Sequence, residues 1–298
     1  MSGLTLLAAL KAFDATARLG SMTAAAKLLG LQQPTVSAHV LRLEQEYGVE
    51  LFYRRGRRLE LTALGRTLLE LTRRTFSGED DALALLAAAK SRYQGHLSVH
   101  AIGPYNVVPI LRRFLRQHPR VRIAVGVGDS RTITHKIVDY QGDIGVVLNR
   151  VDHPDLHCMP YRRQALVVFA RKDHPLAARH QLRLDDLAGQ PFVIREEGST
   201  TRRVFEQALQ ARGVQVRVSL EMGSREAVRE AVAEGLGLGV VAETAYMPDE
   251  RLAKLPLCVE DTDTSCDMAT HVHVICRQER RQVPLIAEFF KIAADLRE

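Results

Sequence analysis

Residues 196–203, with the sequence EEGSTTRR, concentrate side chains that could bind an anion. Three hydroxyl residues precede two arginines, and a helical pattern begins among them. Hydroxyl groups, arginine and the free N–H groups of a helix N-terminus all donate hydrogen bonds to an oxyanion. Serine and threonine at such a place can also serve only as helix caps. We predict that at least one of Ser199, Thr200 and Thr201 contacts a small anionic ligand.

Three further turns, at 103–106, 128–131 and 223–226, have the same character. Each follows an apolar run, precedes a helical pattern, and offers small, hydroxyl or charged residues. Ligands of open α/β sheets bind where strands end and helices begin, so the four turns predict a ligand site. The predicted contacts are Gly103, Tyr105, Asn106, Asp129, Ser130, Arg131, Arg195, Ser199, Thr200, Thr201, Arg202, Ser224, Arg225 and Glu226.

Other reactive patterns in the sequence do not complete a site. The segment GLGLG at 235–239 follows a helix and precedes a strand, which is the reverse of a dinucleotide-binding fingerprint. His271 and His273 share one face of a strand near Cys266, but zinc needs further ligands at suitable spacing. No paired nucleophile and base can be read from the sequence. We therefore expect no metal, no cofactor and no catalytic site.

A second group of polar residues lies on a helical pattern in GLQQPTVSAHVLRLEQEYG, residues 30–48. Pro34 suits a first helical turn, and Gly48 suits the end of the helix. The predicted apolar stripe is Val36, Val40, Leu43 and Tyr47. The opposite side carries short polar groups on a helix about 20 Å long, which fits the major groove of DNA.

The next segment, VELFYRRGRRLELT, predicts a hairpin that carries four arginines beside this helix. A short helix capped by Ser21 or Thr23 precedes the helix that begins near Pro34. This order of elements is typical of a winged helix-turn-helix, and a three-helix bundle with a solvated hairpin is the alternative. The predicted DNA contacts are Ser21, Thr23, Gln33, Pro34, Thr35, Ser37, His39, Arg42, Arg54, Arg55, Arg57 and Arg58.

The sequence pattern after Gly95 predicts the strands and helices that carry the four turns. Short apolar runs alternate there with helical patterns, which is typical of an α/β domain with a mostly parallel sheet. Residues 95–298 leave room for two such lobes.

Between the two parts, residues 63–92 form a long helical pattern with a narrow leucine edge. Such an edge predicts pairing with a second copy of the helix, and packing against the chain's own second domain is the alternative. The pair Ser77 and Gly78 is where a bend or break is expected.

Composition narrows the class of protein. A net charge of +6, with Arg54, Arg55, Arg57 and Arg58 within five positions, suits an anionic polymer. The four cysteines are far apart, which favours a reduced, cytoplasmic setting. No uncharged apolar run is long enough to cross a membrane, so no membrane partner is expected.

Residues 20–65 resemble the N-terminal domain of LysR-type transcriptional regulators. They carry Gln-Pro-x-Val-Ser, Leu-Glu, Gly-Val-x-Leu-Phe and Leu-Thr-x-x-Gly at matched spacings. The resemblance implies a third helix that reads DNA, a wing on the phosphate backbone and a dimer formed by the following helix. Gln32 stands where the family often has Ser, and Ala38 stands where it often has Arg. Contacts by that arginine are not expected here, and His39 or Arg42 is in a position to compensate.

The rest of the chain resembles the LysR-type effector domain in FVIREEGSTTR, SREAVREAVAEGLGLGVV and ARKDHPLA. The resemblance implies two periplasmic-binding-protein-like α/β lobes, with the four turns lining an effector cleft between them. We predict a winged helix-turn-helix domain at 1–61, a linker and dimerisation helix at 62–92, and an effector domain at 93–298. Lobe I would comprise about 93–163 and 267–298, and lobe II about 164–266.

Within the family, the turn sequences are most similar to a subgroup tied to phosphonate use, including aminoethylphosphonate. In that interpretation Asp129 or Glu226 meets an ammonium group, while the hydroxyl groups and Arg202 hold the phosphonate. Sulfonate, sulfate or a carboxylate would use the same chemistry.

The leading hypothesis is a ligand-responsive regulator that binds pseudo-palindromic double-stranded DNA as a homodimer or homotetramer. The competing hypothesis is an α/β enzyme acting on a small anion, with the N-terminal domain used for assembly. The sequence leaves open the effector, the target promoter, activation or repression, and the choice between dimer and tetramer.

Overall fold

The computed structural model describes residues 3–55, 58–89, 93–257 and 268–297. It contains an N-terminal helical domain with a hairpin, one long connecting helix and a C-terminal α/β domain of two lobes. The predicted fold class is confirmed.

The N-terminal domain packs three helices and a hairpin around alanines and a few larger apolar side chains such as Phe13. Its elements are α1 (Gly3–Leu19), α2 (Met22–Leu29), α3 (Gln33–Tyr47), β1 (Phe52–Arg55) and β2 (Arg58–Leu61). Ala12, Ala25 and Ala26 are buried between the helices with Val36 and Val40 of α3. Alanines let the helix axes approach closely, so this domain is compact despite its small core.

The connecting helix α4 (Ala63–Ala89) is continuous through Ser77 and Gly78, so the break expected at that pair is not present. Helix propagation on both sides evidently outweighs the cost of one glycine, which is about 1 kcal/mol. At the other end Gly65 lies directly against the carbonyl of Leu51, where a Cβ atom would stand 2.2 Å from the oxygen. A glycine is therefore required where α4 leaves the hairpin.

The C-terminal domain contains one mixed sheet with helices on its faces. The strands are β3 (Gly95–Ala101), β4 (Val121–Val127), β5 (Ile144–Leu148), β6 (Leu156–Arg171), β7 (Pro191–Arg195), β8 (Arg217–Met222), β9 (Leu238–Ala242), β10 (Leu252–Lys254) and β11 (Ala269–Arg277). The helices are α5 (Pro104–Gln117), α6 (Ser130–Val138), α7 (Thr200–Ala211), α8 (Arg225–Ala233) and α9 (Pro284–Asp295). The strand order is β4-β3-β5-β11-β6-β9-β7-β8, with β10 beside β6.

The long strand β6 joins the two lobes. It pairs antiparallel with β11 up to Ala165 and with β9 from Leu166 onward. Lobe I is built on β3, β4 and β5, which are parallel, and lobe II on β7, β8 and β9, which are also parallel. Each lobe has its own apolar core, around Phe114 and Phe289 in lobe I and around Phe192 and Phe205 in lobe II.

The C-terminal half of α4 is attached to lobe I by a largely buried ion network. Arg280 follows β11 and donates to both carboxylate oxygens of Asp81 on α4, at 2.7 and 2.8 Å. Its Nη1 lies 2.8 Å from Oδ1 of Asp143, which precedes β5. The connecting helix is thus anchored to the C-terminal domain of its own chain, while Leu64, Leu71, Leu83 and Leu86 remain exposed.

None of the helices in the described ranges is long and apolar enough to span a membrane. The described residues also contain no cluster of three His, Cys, Asp or Glu side chains suited to a metal ion. Cys266, which the sequence places near His271 and His273, lies outside the described residues.

Candidate functional sites

Helices α2 and α3 begin and end at the residues that local chemistry predicts. Ser21 caps α2 by accepting a hydrogen bond from the Ala24 N–H. Gly30 and Gly48 end the two helices in the left-handed conformation, with φ of 66° and 62°. Gln32 at the N-cap of α3 makes no side-chain cap, and Pro34 lies in the first turn.

The face of α3 that points away from the core is open to solvent. Val36, Val40 and Leu43 are buried, as the apolar stripe predicts, but Tyr47 is 57 % exposed. Its placement in the stripe was wrong, because the helix ends at Gly48 before that side chain can reach the core. The exposed positions on and beside this face include Thr23, Gln33, Pro34, Thr35, Ala38 and Arg42, and Ser37 and His39 are partly buried.

Ser37 connects α3 to α2 rather than standing free. Its hydroxyl donates to Sδ of Met22 at 3.0 Å and accepts from Nε2 of Gln33 at 2.7 Å. These two hydrogen bonds hold Gln33 in one orientation at the start of α3. A side chain held in place loses less entropy on binding, so Gln33 presents an amide that is already oriented on the outer face.

The hairpin is fixed beside α3 by a residue that was not among the predicted contacts. Oε1 of Glu44 accepts hydrogen bonds from the N–H groups of Leu51 and Phe52, at 2.8 and 3.2 Å. Strands β1 and β2 then pair antiparallel, with Arg54 opposite Leu59 and Arg55 opposite Arg58. Arg57 lies outside the described residues. The Leu-Glu pair in the sequence was the available signal for Glu44.

The four polar turns of the C-terminal domain surround one cleft between the lobes. The cavity has a volume of about 380 Å³ and takes its walls from residues 102–105, 127–130, 195–201 without 197, and 223–226, together with Leu148. Helices α5, α6, α7 and α8 all begin at these turns. Their N-termini carry partial positive charge, so the backbone alone favours an anion here.

Several hydroxyl and carboxylate groups of the cleft have structural partners. Ser199 and Ser224 cap α7 and α8 by accepting from the N–H groups of Arg202 and Ala227. Asp129 caps α6, and hydrogen bonds from the Thr132 N–H and hydroxyl lower the pKa of its carboxyl. The hydroxyl of Ser130 accepts from the Leu148 N–H at 2.9 Å. Thr200 and the buried Thr201 line the cleft without a capping role.

Three predicted effector contacts are not among the residues that line the cleft. Arg202 is bound to Glu206 at 2.7 Å and to Glu221 at 2.8 Å, so its charge is already satisfied. Arg131 is exposed to solvent on α6, and Asn106 is buried at the start of α5. Tyr105, the neighbour of Asn106, does line the cleft.

Two arginines of lobe II do line the cleft, and they differ in their partners. Arg195 donates two hydrogen bonds to Glu196, at 2.5 and 2.6 Å, and these lower the pKa of Glu196. Arg225 forms no hydrogen bond and no ion pair with any residue in the described ranges. Burial, and then the nearby charge of Arg195, lower the pKa of Arg225.

Arg225 crosses the cleft to lobe I at Gly103. A Cβ atom on Gly103 would lie 2.7 Å from Nη1 of Arg225, so any larger residue would displace the guanidinium. Glu226 and Glu196 stabilise its charge only at longer range. Sequence reasoning named Arg225 and Arg202 alike, but only Arg225 is left without a partner in the described part of the chain.

Comparison with known proteins identifies both domains of the chain. Residues 7–66 match the family described as "Bacterial regulatory helix-turn-helix protein, lysR family", and residues 90–297 match "LysR substrate binding domain". The chain is 29 % identical to the transcriptional activator CmpR of Synechocystis, over 93 % of this chain and 91 % of that one.

Two solved structures share the fold. One is full-length CbnR complexed with its target DNA, with a TM-score of 0.69 at 23 % identity, covering 97 % of this chain and 99 % of that one. The other is the regulatory domain of Synechocystis CcmR in complex with 2-PG, with a TM-score of 0.60 at 25 % identity, covering 69 % of this chain and 98 % of that one. The alternative hypothesis of an enzyme is wrong, because the family and the named relatives are transcriptional regulators. The chain belongs to the LysR family of DNA-binding transcriptional regulators, with an N-terminal helix-turn-helix and a C-terminal substrate-binding domain.

Proposed function

We propose that this regulator responds to a small anionic effector bound in the cleft between the two lobes. The observation that carries the proposal is Arg225, a largely desolvated cation with no hydrogen-bonded partner in the described residues. An unpaired charge that is removed from water is costly. An anion that pairs with Arg225 removes that cost and gains the four helix N-termini as well.

The carboxylates of the cleft do not cancel this preference. Asp129 is held by Thr132, and Glu196 is held by Arg195. The pKa of Glu226 is lowered first by its own N–H at the start of α8 and by Ser224. Asp129 and Glu196 therefore already have hydrogen-bonded partners, whereas Arg225 has none among the described residues. The 2-PG complex of the CcmR regulatory domain supports a small-molecule site in this fold.

Binding in the cleft would reach DNA through the linker helix. The exposed leucines of α4 fit pairing with a second copy, which brings two α3 helices and two hairpins to a pseudo-palindromic site in the cytoplasm. Since Arg280 ties α4 to lobe I, a change in lobe closure alters the arrangement of the two DNA-binding domains. Dimer or tetramer, and activation or repression, follow from that arrangement.

Calorimetry of the full-length protein with phosphate, sulfate, methylphosphonate and acetate tests the proposal. We expect saturable binding of at least one of these anions, and a loss of about 10- to 100-fold in Arg225→Gln, because a charged hydrogen bond contributes about 1.5–3 kcal/mol. The matched control is Arg203→Gln, an exposed arginine on α7 away from the cleft. If Arg225→Gln binds the anions as tightly as the unaltered protein, the anion site is wrongly assigned.

A further inference from the structure

A second cavity in lobe II borders the cleft and has a different chemical character. It has a volume of about 40 Å³. Its apolar walls come from β6, β9, β10, α8 and the turn after β9, and they are formed by Phe169, Val228, Val240, Val241, Ala245, Tyr246, Met247 and Leu252. No apolar side chain of the described residues fills this cavity. The anion site proposed above does not use its apolar walls.

Four residues border both cavities: Tyr105, Arg195, Arg225 and Glu226. An anionic head group paired with Arg225 would therefore lie at the boundary between them. A carbon chain attached to that head group could turn away from the polar turns and enter the apolar cavity. Tyr105 belongs to lobe I, so a chain held there would contact both lobes.

We propose that the effector is an anion with a short apolar tail, and that this lobe II cavity binds the tail and selects its length. The inference rests on the anion site proposed above and adds the class of ligand. A cavity of about 40 Å³ holds about three water-sized groups, which corresponds to a tail of about three carbons. Shorter tails leave empty volume, and longer tails exceed it.

The charges around the cavity argue against an ammonium group on the tail. Arg195, Arg225 and Arg229 border it with the carboxylate of Glu226. Arg195 is paired with Glu196 and Arg229 with Glu230, so Arg225 is the one of the three arginines without a hydrogen-bonded carboxylate among the described residues. The position of Glu226 at the start of α8 lowers the pKa of its carboxyl and stabilises its negative charge. A cationic tail would lose its hydration among apolar side chains beside the guanidinium of Arg225, whereas a methyl group meets no such penalty.

Calorimetry of the full-length protein with methyl-, ethyl-, propyl- and pentylphosphonate tests tail length, and 2-aminoethylphosphonate tests tail charge. We expect affinity to rise about fourfold for each methylene up to propyl, which is the usual gain for a buried CH₂ group, and to rise no further at pentyl. Propylphosphonate and 2-aminoethylphosphonate have the same length, and we expect propylphosphonate to bind at least tenfold more tightly.

Two variants locate the effect. Ala245→Leu fills the cavity and should remove the gain with tail length while methylphosphonate still binds, and Ala211→Leu on the exposed end of α7 is the control. Met247→Ala enlarges the cavity and should move the optimum to a longer tail, which keeps the test valid if Ala245→Leu does not fold.

The possible failures are distinguishable. If methylphosphonate binds through Arg225 but tail length has no effect, or 2-aminoethylphosphonate binds more tightly than propylphosphonate, the tail cavity is wrong and the anion site stands. If no phosphonate and none of the simple anions binds, both proposals are wrong.

Discussion

The outer face of α3 and the interlobe cleft, the two surfaces proposed to bind DNA and effector, are assembled in opposite ways. The α3 face comes from consecutive turns of one helix, residues 33–42, and most of it is exposed to solvent. The cleft collects four turns that span residues 102–226, and its central cation is withdrawn from water. The α3 face forms as soon as this one helix forms, whereas the cleft exists only when both lobes have folded.

This difference in exposure determines how much each charged side chain contributes to binding. Exposed arginines on a surface that meets DNA are screened by salt and contribute through the release of counterions. A withdrawn guanidinium such as Arg225 acts in a medium of lower dielectric constant, where one partner matters far more. We therefore expect effects on DNA binding to be distributed over several residues and to depend on salt, and effects on effector binding to depend on single contacts.

The largest effect is expected at the joint between the two regions. Replacing Arg280 by Gln leaves Asp81 and Asp143 largely buried without their cation, and breaking such a pair costs about 3 kcal/mol. Chemical denaturation should show this loss, and effector anions should no longer change DNA binding. Arg113→Gln is the control, because the pair of Arg113 with Asp295 is about 40 % exposed and should contribute less than about 1 kcal/mol. Equal effects of the two variants would show that the network does not anchor the linker helix.

The next effect concerns the hairpin. Replacing Arg54, Arg55 and Arg58 together by Gln should weaken binding to all duplexes on the order of 100-fold at low salt and reduce the salt slope by about 3. A gel-shift titration in salt measures both quantities. The control neutralises Arg116, Arg120 and Arg122, which are exposed on lobe I. An unchanged slope in the hairpin variant would place the phosphate contacts elsewhere and leave α3 alone as the DNA surface.

A smaller effect on the cleft side follows from the approach of Arg225 to lobe I. Gly103→Ala puts a Cβ atom 2.7 Å from the present position of Nη1 of Arg225, so the guanidinium must shift, and anion binding should weaken about tenfold. Because φ of Gly103 is 169°, alanine adopts this backbone without strain, so the thermal midpoint should change little. Gly198→Ala, in the same cleft, meets nothing within 4 Å and should bind normally. If both variants bind normally, Arg225 moves freely and its crossing of the cleft is not required.

The smallest effect is expected on the outer face of α3. Thr35→Ala removes one exposed hydroxyl and should lower the preference for the target over a mismatched duplex about fivefold, with little change in non-specific binding. Competition between the two duplexes measures it, and Thr67→Ala on α4 is the control. We expect Ser37→Ala to act differently, because Ser37 joins Gln33 to Met22 and its loss also loosens α2 against α3. A uniform loss on all duplexes in Thr35→Ala would exclude a role in sequence choice.

The sequence alone predicted most of the helix ends in the N-terminal domain, although it left Ser21 and Thr23 as alternative caps of α2. Ser21, Gly30 and Gly48 act through neighbours a few residues away, so their roles can be read from spacing. The four turns of the cleft were also predictable, because each lies between an apolar run and a helical pattern. The misplaced Tyr47 shows the limit even of local reasoning, since periodicity continues to the last turn of a helix whether or not the core does.

Only the tertiary structure decided which arginines already have a hydrogen-bonded carboxylate partner. Arg202 and Arg225 both follow hydroxyl residues at the start of a helix, and nothing local separates them. Glu221, 19 residues away from Arg202 on a neighbouring strand, occupies it, while Gly103 of the other lobe makes room for Arg225. In the same way Arg280 finds Asp81 across 199 residues. Helix caps and turns depend on residues within one or two helical turns along the chain. The partner of a flexible arginine depends instead on which charged groups the fold brings within reach. Those groups are distant in sequence, so sequence spacing cannot predict them.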